Sequence, residues 1–490
     1  MAQVLATPGV YIEEKSAFPS SAVQVATAVP AFVGYTEKAL RSNKSILNKP
    51  TRVTSLGEFH LYFGGAPKTT FSVAADEKTG FAVSVDAASK FNLYRSMRLF
   101  FANGGSLCYI VSVGDYSNGV SAKDLNDEAT ESGIPTLLKS PEPTMLVIPD
   151  AVLLEENDCA SLQQAMLKHC GADTNSRIAI LDVYNGDQPR TYDENDIITK
   201  SREGLGNNFL QWGASYYPYV NTTIVGSDEV DFSNVSNIDG LTPLLDAEAD
   251  AIYGDDAQII KDVVAKLSGD NDALSLHQTL LAKLPIYKAI LGEIKNHLNV
   301  LPPSGGMAGV ISMVDGTVGV FKSPANVSMG SVVSPTINLT AKDQEDLNLP
   351  LSGKAINAIR TFPGKGVLVW GARTLDGNSQ DWRYISVRRT VTMIEQSLKI
   401  ASESYVFQPN EVGTWVNIKG TMNNFLKDQW KQGALAGSTP EDAFSVDCGL
   451  GSTMTAVDIL DGIMRITVKL AVTRPAEFIV ITFQQQMQKS

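Results

Sequence analysis

The last 140 residues are the most regular part of the chain, and they close on an apolar strand that would be hazardous as a free edge. From Trp382 onward, Val387, Val391, Ile394, Leu398, Ala401 and Tyr405 recur at intervals of three and four, which predicts a helix with one buried face. Its other face carries Arg388, Arg389, Glu395, Lys399 and Glu403. A second helix follows, with Trp415, Ile418, Met422, Phe425, Leu426 and Trp430 on its stripe and Gly433 closing it. Val367 to Trp370 reads as a buried strand. Ile466, Val468, Leu470 and Val472 alternate within Arg465 to Thr473 as a half-buried one. After Arg474-Pro475-Ala476 comes the terminal strand, Glu477 to Phe483, and then a polar tail. An unpaired apolar strand offers a row of open backbone groups to any other chain, so its sequence demands a partner.

The opposite end makes a similar demand. Val4 to Glu14 has short apolar stretches around Thr7-Pro8-Gly9 and too little apolar surface for a core of its own, so the first twenty residues read as an arm. Ala22 to Val29 alternates strictly, as a strand does. Phe91 to Phe101 is a helical amphipath ended by Asn103-Gly104-Gly105, and Leu107 to Val113 follows as a strand. Residues 116–300 differ in texture. Acidic, Asn- and Asp-rich connections separate a strand at Thr144–Ile148, a helix at Cys159–Cys170, a strand at Ile178–Val183 and a helix or helix pair over Leu276–Leu298. This stretch is expected to be an inserted, more variable domain, with Leu301-Pro302-Pro303-Ser304-Gly305-Gly306 marking the return. A chain of 490 residues exceeds one core and implies two or three domains.

Charge narrows the partners. The formal net charge is -13, which disfavours nucleic acid or an anionic membrane as the main ligand. Residues 354–490 nevertheless balance at +3, leaving -16 for the rest, so one end is suited to an acidic partner. No apolar run approaches the ~18 residues of a membrane-spanning helix. Met1-Ala2-Gln3-Val4 lacks a basic, then apolar, export signal, so folding in the cytoplasm is the expectation.

A search for chemistry finds none that converges. Cys108, Cys159, Cys170 and Cys448 fit neither a disulfide framework nor zinc spacing, and read as reduced structural thiols. His60, His169, His277 and His297 are scattered. Ser352-Gly353-Lys354-Ala355 and Gly364-Lys365-Gly366 lack both the leading glycine and the hydroxyl of a phosphate loop. Gly104-Gly105-Ser106-Leu107-Cys108 is no nucleophile elbow, because cysteine stands where the second glycine is needed. Glu13-Glu14, Glu155-Glu156 and Asp255-Asp256 are sequence neighbours, which diverge on a helix and flip faces on a strand. No enzyme, cofactor or metal site is expected.

Several segments together resemble one family. Thr7-Pro8-Gly9-Val10-Tyr11-Ile12-Glu13-Glu14 is similar to its opening motif, and Gly319-Val320-Phe321-Lys322-Ser323-Pro324-Ala325-Asn326 to its return into the core. Leu347-Asn348 and Ile356-Asn357-Ala358-Ile359-Arg360 follow in order. The densest likeness runs through Val369-Trp370-Gly371-Ala372-Arg373-Thr374-Leu375, Trp382 to Arg389, Ile394-Glu395-Gln396-Ser397, Val406 to Asn410, Gly433 to Gly437 and Phe444 to Gly449, closing on Pro475-Ala476-Glu477-Phe478-Ile479. Their order over about 170 residues resembles the contractile tail sheath proteins of phages and phage-tail-like injection systems, with Gln408 where the family more often has glutamate.

The resemblance implies an α+β, multi-domain chain: a C-terminal α/β sheath core completed by strands exchanged between subunits, with an inserted α/β outer domain. The expected divisions are a linker arm at 1–20, a discontinuous middle domain at 21–115 and 301–350, the insertion at 116–300, an inner sheath domain at 351–475 and the exchanged strand and tail at 476–490. Val4, Leu5, Val10, Tyr11 and Ile12 at one end, and Phe478, Ile479, Val480, Ile481 and Phe483 at the other, are the expected exchange residues. Arg388, Arg389 and Lys399, then Lys427 and Lys431, are the expected contacts to an acidic inner tube. The implied partners are copies of itself in stacked helical rings, a tube protein, and baseplate and terminal cap proteins. Nucleic acid and membrane insertion are not among them. The particle would assemble in the bacterial cytoplasm and be released or membrane-anchored. A sheath of a true phage tail is the alternative, and a self-assembling surface-layer protein a more distant one.

Overall fold

The computed structural model describes residues 22–268 and 273–481. The chain is mixed α/β and divides into two compact units. Among the described residues, the larger comprises 26–268, 273–392 and 474–481, and the smaller 22–25 and 393–473.

The larger unit is built on a nine-stranded sheet. Its strands in chain order are β1 (Pro30–Gly34), β2 (Thr51–Val53), β3 (Cys108–Ser112), β4 (Met145–Val147), β5 (Ile178–Asp182), β6 (Gly213–Tyr217), β7 (Val327–Ser328), β8 (Asn357–Phe362) and β9 (Gly366–Val369). The spatial order is β7-β9-β8-β6-β5-β4-β1-β3-β2. The six from β8 to β3 run parallel, and the edges are antiparallel. Both faces are covered. Met145, Val147, Ile178 and Ile180 point into one apolar core, while Leu146, Ala179 and Leu181 point into another. Parallel strands buried on both faces are apolar without alternation.

The expected insertion at 116–300 is therefore corrected. β4, β5 and β6 come from it and lie at the centre of the main sheet. Polar connections between short apolar runs looked like a change of domain, yet they are the crossovers that parallel strands need. A separate apolar cluster forms from the later part of that stretch. Helices Ile238–Tyr253, Ala257–Val264 and Pro285–Leu298 pack with the hairpin Phe71–Asp76/Gly80–Val85.

The Pro-Pro-Ser-Gly-Gly run was expected to mark the return from the insertion, and it opens a buried helix. α1 (Leu93–Ala102) and α2 (Ser304–Thr317) pack together on one face of the sheet. A side chain at Gly305 would put its Cβ 2.7 Å from Ser96 Cβ, and one at Gly309 would sit 2.5 Å from the Phe100 carbonyl oxygen. The glycines are there because the two backbones touch. Each helix start receives a buried acid from a strand end. Asp150 accepts the backbone N–H of Asn92 at 2.6 Å, and Asp182 that of Ser304 at 2.8 Å.

Ala22 to Val29, expected as a strand, forms none. Within the smaller unit, Val25 N–H donates to Ser397 Oγ, and within the larger, Val29 N–H donates to Thr144 Oγ1. Side-chain hydroxyls receive these N–H groups in place of a neighbouring strand, and burial along 22–29 does not follow the sequence alternation, Val23 being 77% exposed. The smaller unit contains the second half of α3 (Ile385–Glu403), α4 (Val412–Lys431) and a two-stranded antiparallel sheet of β10 (Phe444–Asp447) and β11 (Thr467–Leu470). Trp415, Ile418, Met422, Phe425 and Leu426 are the buried stripe of α4, as the spacing predicts.

Candidate functional site: an anchored, exposed C-terminal segment

β9 ends at Val369, and the chain turns at Gly371, where a Cβ would meet Asn357 Cα at 2.9 Å. That close approach lets Asn357 Oδ1 accept the Arg373 N–H at 2.8 Å, while its Nδ2 donates to the carbonyls of Ser215 and Arg373. Arg373 is thereby tied to β6 and β8, and its side chain is almost wholly buried. Its guanidinium donates to the carbonyls of Asn348 and Gly377 and, in a two-pronged pair, to Glu477 at 2.6 and 3.0 Å. Tyr384 Oη and Asn348 Nδ2 complete the clamp on the same carboxylate at 3.0 and 2.6 Å. Burial pushes the Glu477 carboxyl up, but the hydrogen bonds from Arg373 and Asn348 and the Arg373 charge outweigh it, holding the group below its ordinary value. Arg474 adds a hydrogen bond to the Gln380 carbonyl.

Immediately beyond the clamp the chain is exposed. Phe478, Ile479, Val480 and Ile481 are 67%, 79%, 88% and 71% accessible, and none belongs to a strand. Four consecutive apolar side chains thus stand in solvent directly after a residue held by three partners, an exposed apolar patch of the kind that marks interaction surfaces. Phe483 lies outside the described residues, as do Val4, Leu5, Val10, Tyr11 and Ile12.

The basic residues of α3 divide in two. Arg388 and Arg389 are buried and are corrected as tube contacts. Arg388 lies 4.3 Å from the Trp212 ring centre and 4.1 Å from that of Trp382. Arg389 pairs with Asp315 at 2.6 and 2.9 Å and donates to the Thr27 carbonyl. The helix wheel put these two arginines on a polar face, but a guanidinium can be buried when aromatic faces or a carboxylate receive it. Lys399, Lys427 and Lys431 are exposed, with Asp428 3.7 Å from Lys431.

The histidines sit apart. His60 meets Tyr94 Oη, His277 meets Tyr287 Oη, and His169 lies buried against Arg177, where burial first and the Arg177 charge second push it down to about 3. Among the described residues no group of three His, Cys, Asp or Glu could hold a metal ion.

Residues 378–486 match the family model described as the phage tail sheath C-terminal domain. The solved helical sheath of the anti-feeding prophage, in its contracted state, is 28% identical. The comparison covers 99% of this chain and 100% of that one, with a TM-score of 0.63. The chain has the fold of a contractile sheath subunit.

A second sheath, that of the PVC extracellular contractile injection system in its contracted state, is 27% identical over 99% of each chain, with a TM-score of 0.61. The tail sheath protein of Burkholderia phage BcepMu is 28% identical over 141 residues, which is 28% of this chain and 29% of that protein. This sheath-fold chain thus spans less than a third of the curated phage relative it matches, and essentially all of the injection-system sheaths. Arg373 and Glu477 both lie in segments that carried the sheath resemblance, Trp370-Gly371-Ala372-Arg373 and Pro475-Ala476-Glu477. Their pairing over 104 residues had no signature in spacing.

Proposed function

We propose that the protein is the structural subunit of a contractile sheath in an extracellular injection system. It polymerises helically around an inner tube and shortens from a metastable extended state to drive that tube through a target envelope. The observation that carries this reading is the segment Phe478–Ile481, anchored at Glu477 and left in solvent. In a polymer it adds as a strand to another copy, where backbone hydrogen bonds supply affinity and alternate side chains set register. The two-stranded sheet β10–β11 is a suitable acceptor, because a lone pair of strands is marginal until extended. A donor end entering a different site on the next copy is a head-to-tail contact, which builds rings or helical filaments.

Lys399, Lys427 and Lys431 are the remaining tube-facing candidates, directed at an acidic tube surface. Baseplate and cap proteins would terminate the polymer. Assembly takes place in the bacterial cytoplasm, and the finished particle is released or anchored. Likeness along the whole chain to injection-system sheaths, against a third of a phage sheath, favours this reading over a true phage tail.

The test replaces Ile479 and Ile481 together by Asp and images the protein, co-expressed with its tube, in negative stain. Wild type should give tubes of uniform diameter and the double variant only dispersed subunits. Tubes of normal length from the variant would refute the reading.

A further inference from the structure

Between the hairpin Phe71–Asp76/Gly80–Val85, the start of α1 and the end of helix Pro285–Leu298 lies a cavity of ≈ 20 Å³. Its polar lining is Thr69, Lys90, Asn92, Arg95 and His297, and no acidic residue contributes. In a chain of net charge -13 such a lining is against the average. Arg95 is 5% exposed, yet no carboxylate lies within ion-pairing distance of it among the described residues. Its guanidinium donates to Thr69 Oγ1 at 3.2 Å and, at 3.4 Å, to the Phe91 carbonyl, leaving further N–H groups without a protein acceptor. Of the neighbouring acids, Glu229 gives both prongs to Arg98, Asp150 takes the N–H groups of Tyr35, Asn92 and Leu93, and Asp187 acts on Lys90 only from beyond ion-pairing distance. Burial pushes Arg95 down to about 10, and it lowers Lys90 as well. A buried cation needs a counter-charge, and two cations on one small cavity need it more.

We propose that this cavity binds a small monovalent anion of halide size between Arg95 and Lys90. A volume of ≈ 20 Å³ exceeds the ~10–15 Å³ that a single water requires, which is enough for a monatomic anion. The hairpin and the start of α1 are neighbours in the chain, while the helix Pro285–Leu298 comes about two hundred residues later. The anion would therefore fasten the helical cluster to the start of α1.

The experiment uses the unassembled full-length protein. Thermal unfolding is compared in sodium chloride, sodium gluconate and sodium phosphate at equal ionic strength, for wild type and for Lys90→Met. Arg95→Met serves as a second variant if it folds. Wild type should melt roughly 2–4 °C higher in chloride than in gluconate, and Lys90→Met should lose that difference. Crystals soaked in bromide should show an anomalous peak in the cavity for wild type and none for Lys90→Met. A chloride effect that survives in Lys90→Met would overturn the proposal, as would equal melting in chloride and gluconate. A phosphate shift equal to that of chloride would overturn the size assignment.

Discussion

At the scale of single residues, the buried pairs decide more than the surface charges do. Arg389 and Asp315 are both nearly inaccessible, so cutting one partner strands the other in a low-dielectric interior. Arg389→Met is expected to destabilise the protein by about 3–5 kcal/mol in urea unfolding, whereas Lys427→Met should change it by less than about 0.5 kcal/mol. Asp182 behaves differently. Burial pushes it up to about 7 from an ordinary 3.8. A raised folded value means that stability held in acid, below the unfolded value, is lost as the pH climbs from about 4 towards 7. Asn keeps an acceptor for the Ser304 N–H and removes the charge. Asp182→Asn should therefore flatten the pH dependence of the urea midpoint over that range and leave the variant the more stable form at pH 8. An unchanged slope would mean that the helix dipole of α2 already compensates the charge.

At the scale of elements, the contact between α1 and α2 sets two effects against each other. Replacing a helical glycine by alanine gains about 1 kcal/mol of helix propensity. A Cβ at Gly309 would lie 2.5 Å from the Phe100 carbonyl, and overpacking of that kind costs about 1–3 kcal/mol. Gly309→Ala is expected to lose stability, by roughly 1 kcal/mol, while the same change at Gly292, where a Cβ meets nothing within 4 Å, should gain it. Equilibrium denaturation of both variants reads the sign. The same contact marks what the sequence could and could not convey. The helices α3 and α4 were legible because one apolar face against one polar face repeats for five turns. β4 and β5 were legible as strands, but their place in the sheet was not, since buried parallel strands carry no sign of which neighbour they take. α2 was misread because its glycines serve packing with α1, a relation between residues two hundred positions apart. Arg388 and Arg389 were misplaced for a similar reason, because their receivers, Trp212 and Asp315, lie in other parts of the chain.

At the scale of the whole molecule, the proposed strand exchange makes both ends of the chain matter for what it builds. Deletion of Met1–Pro19 should leave a folded subunit and abolish long regular tubes in negative stain, because the sequence of the arm has too little apolar surface for a core and is proposed to pair with another copy. Contractible tubes from the truncated chain would remove the N-terminal half of the exchange. The Glu477 clamp has a mechanical implication as well. Tension applied to Phe478–Ile481 would enter the subunit at one carboxylate, pass to Arg373 and cross Asn357 into β6 and β8. In the proposed polymer, part of the pull would thus reach the middle of a nine-stranded sheet instead of passing along the backbone alone.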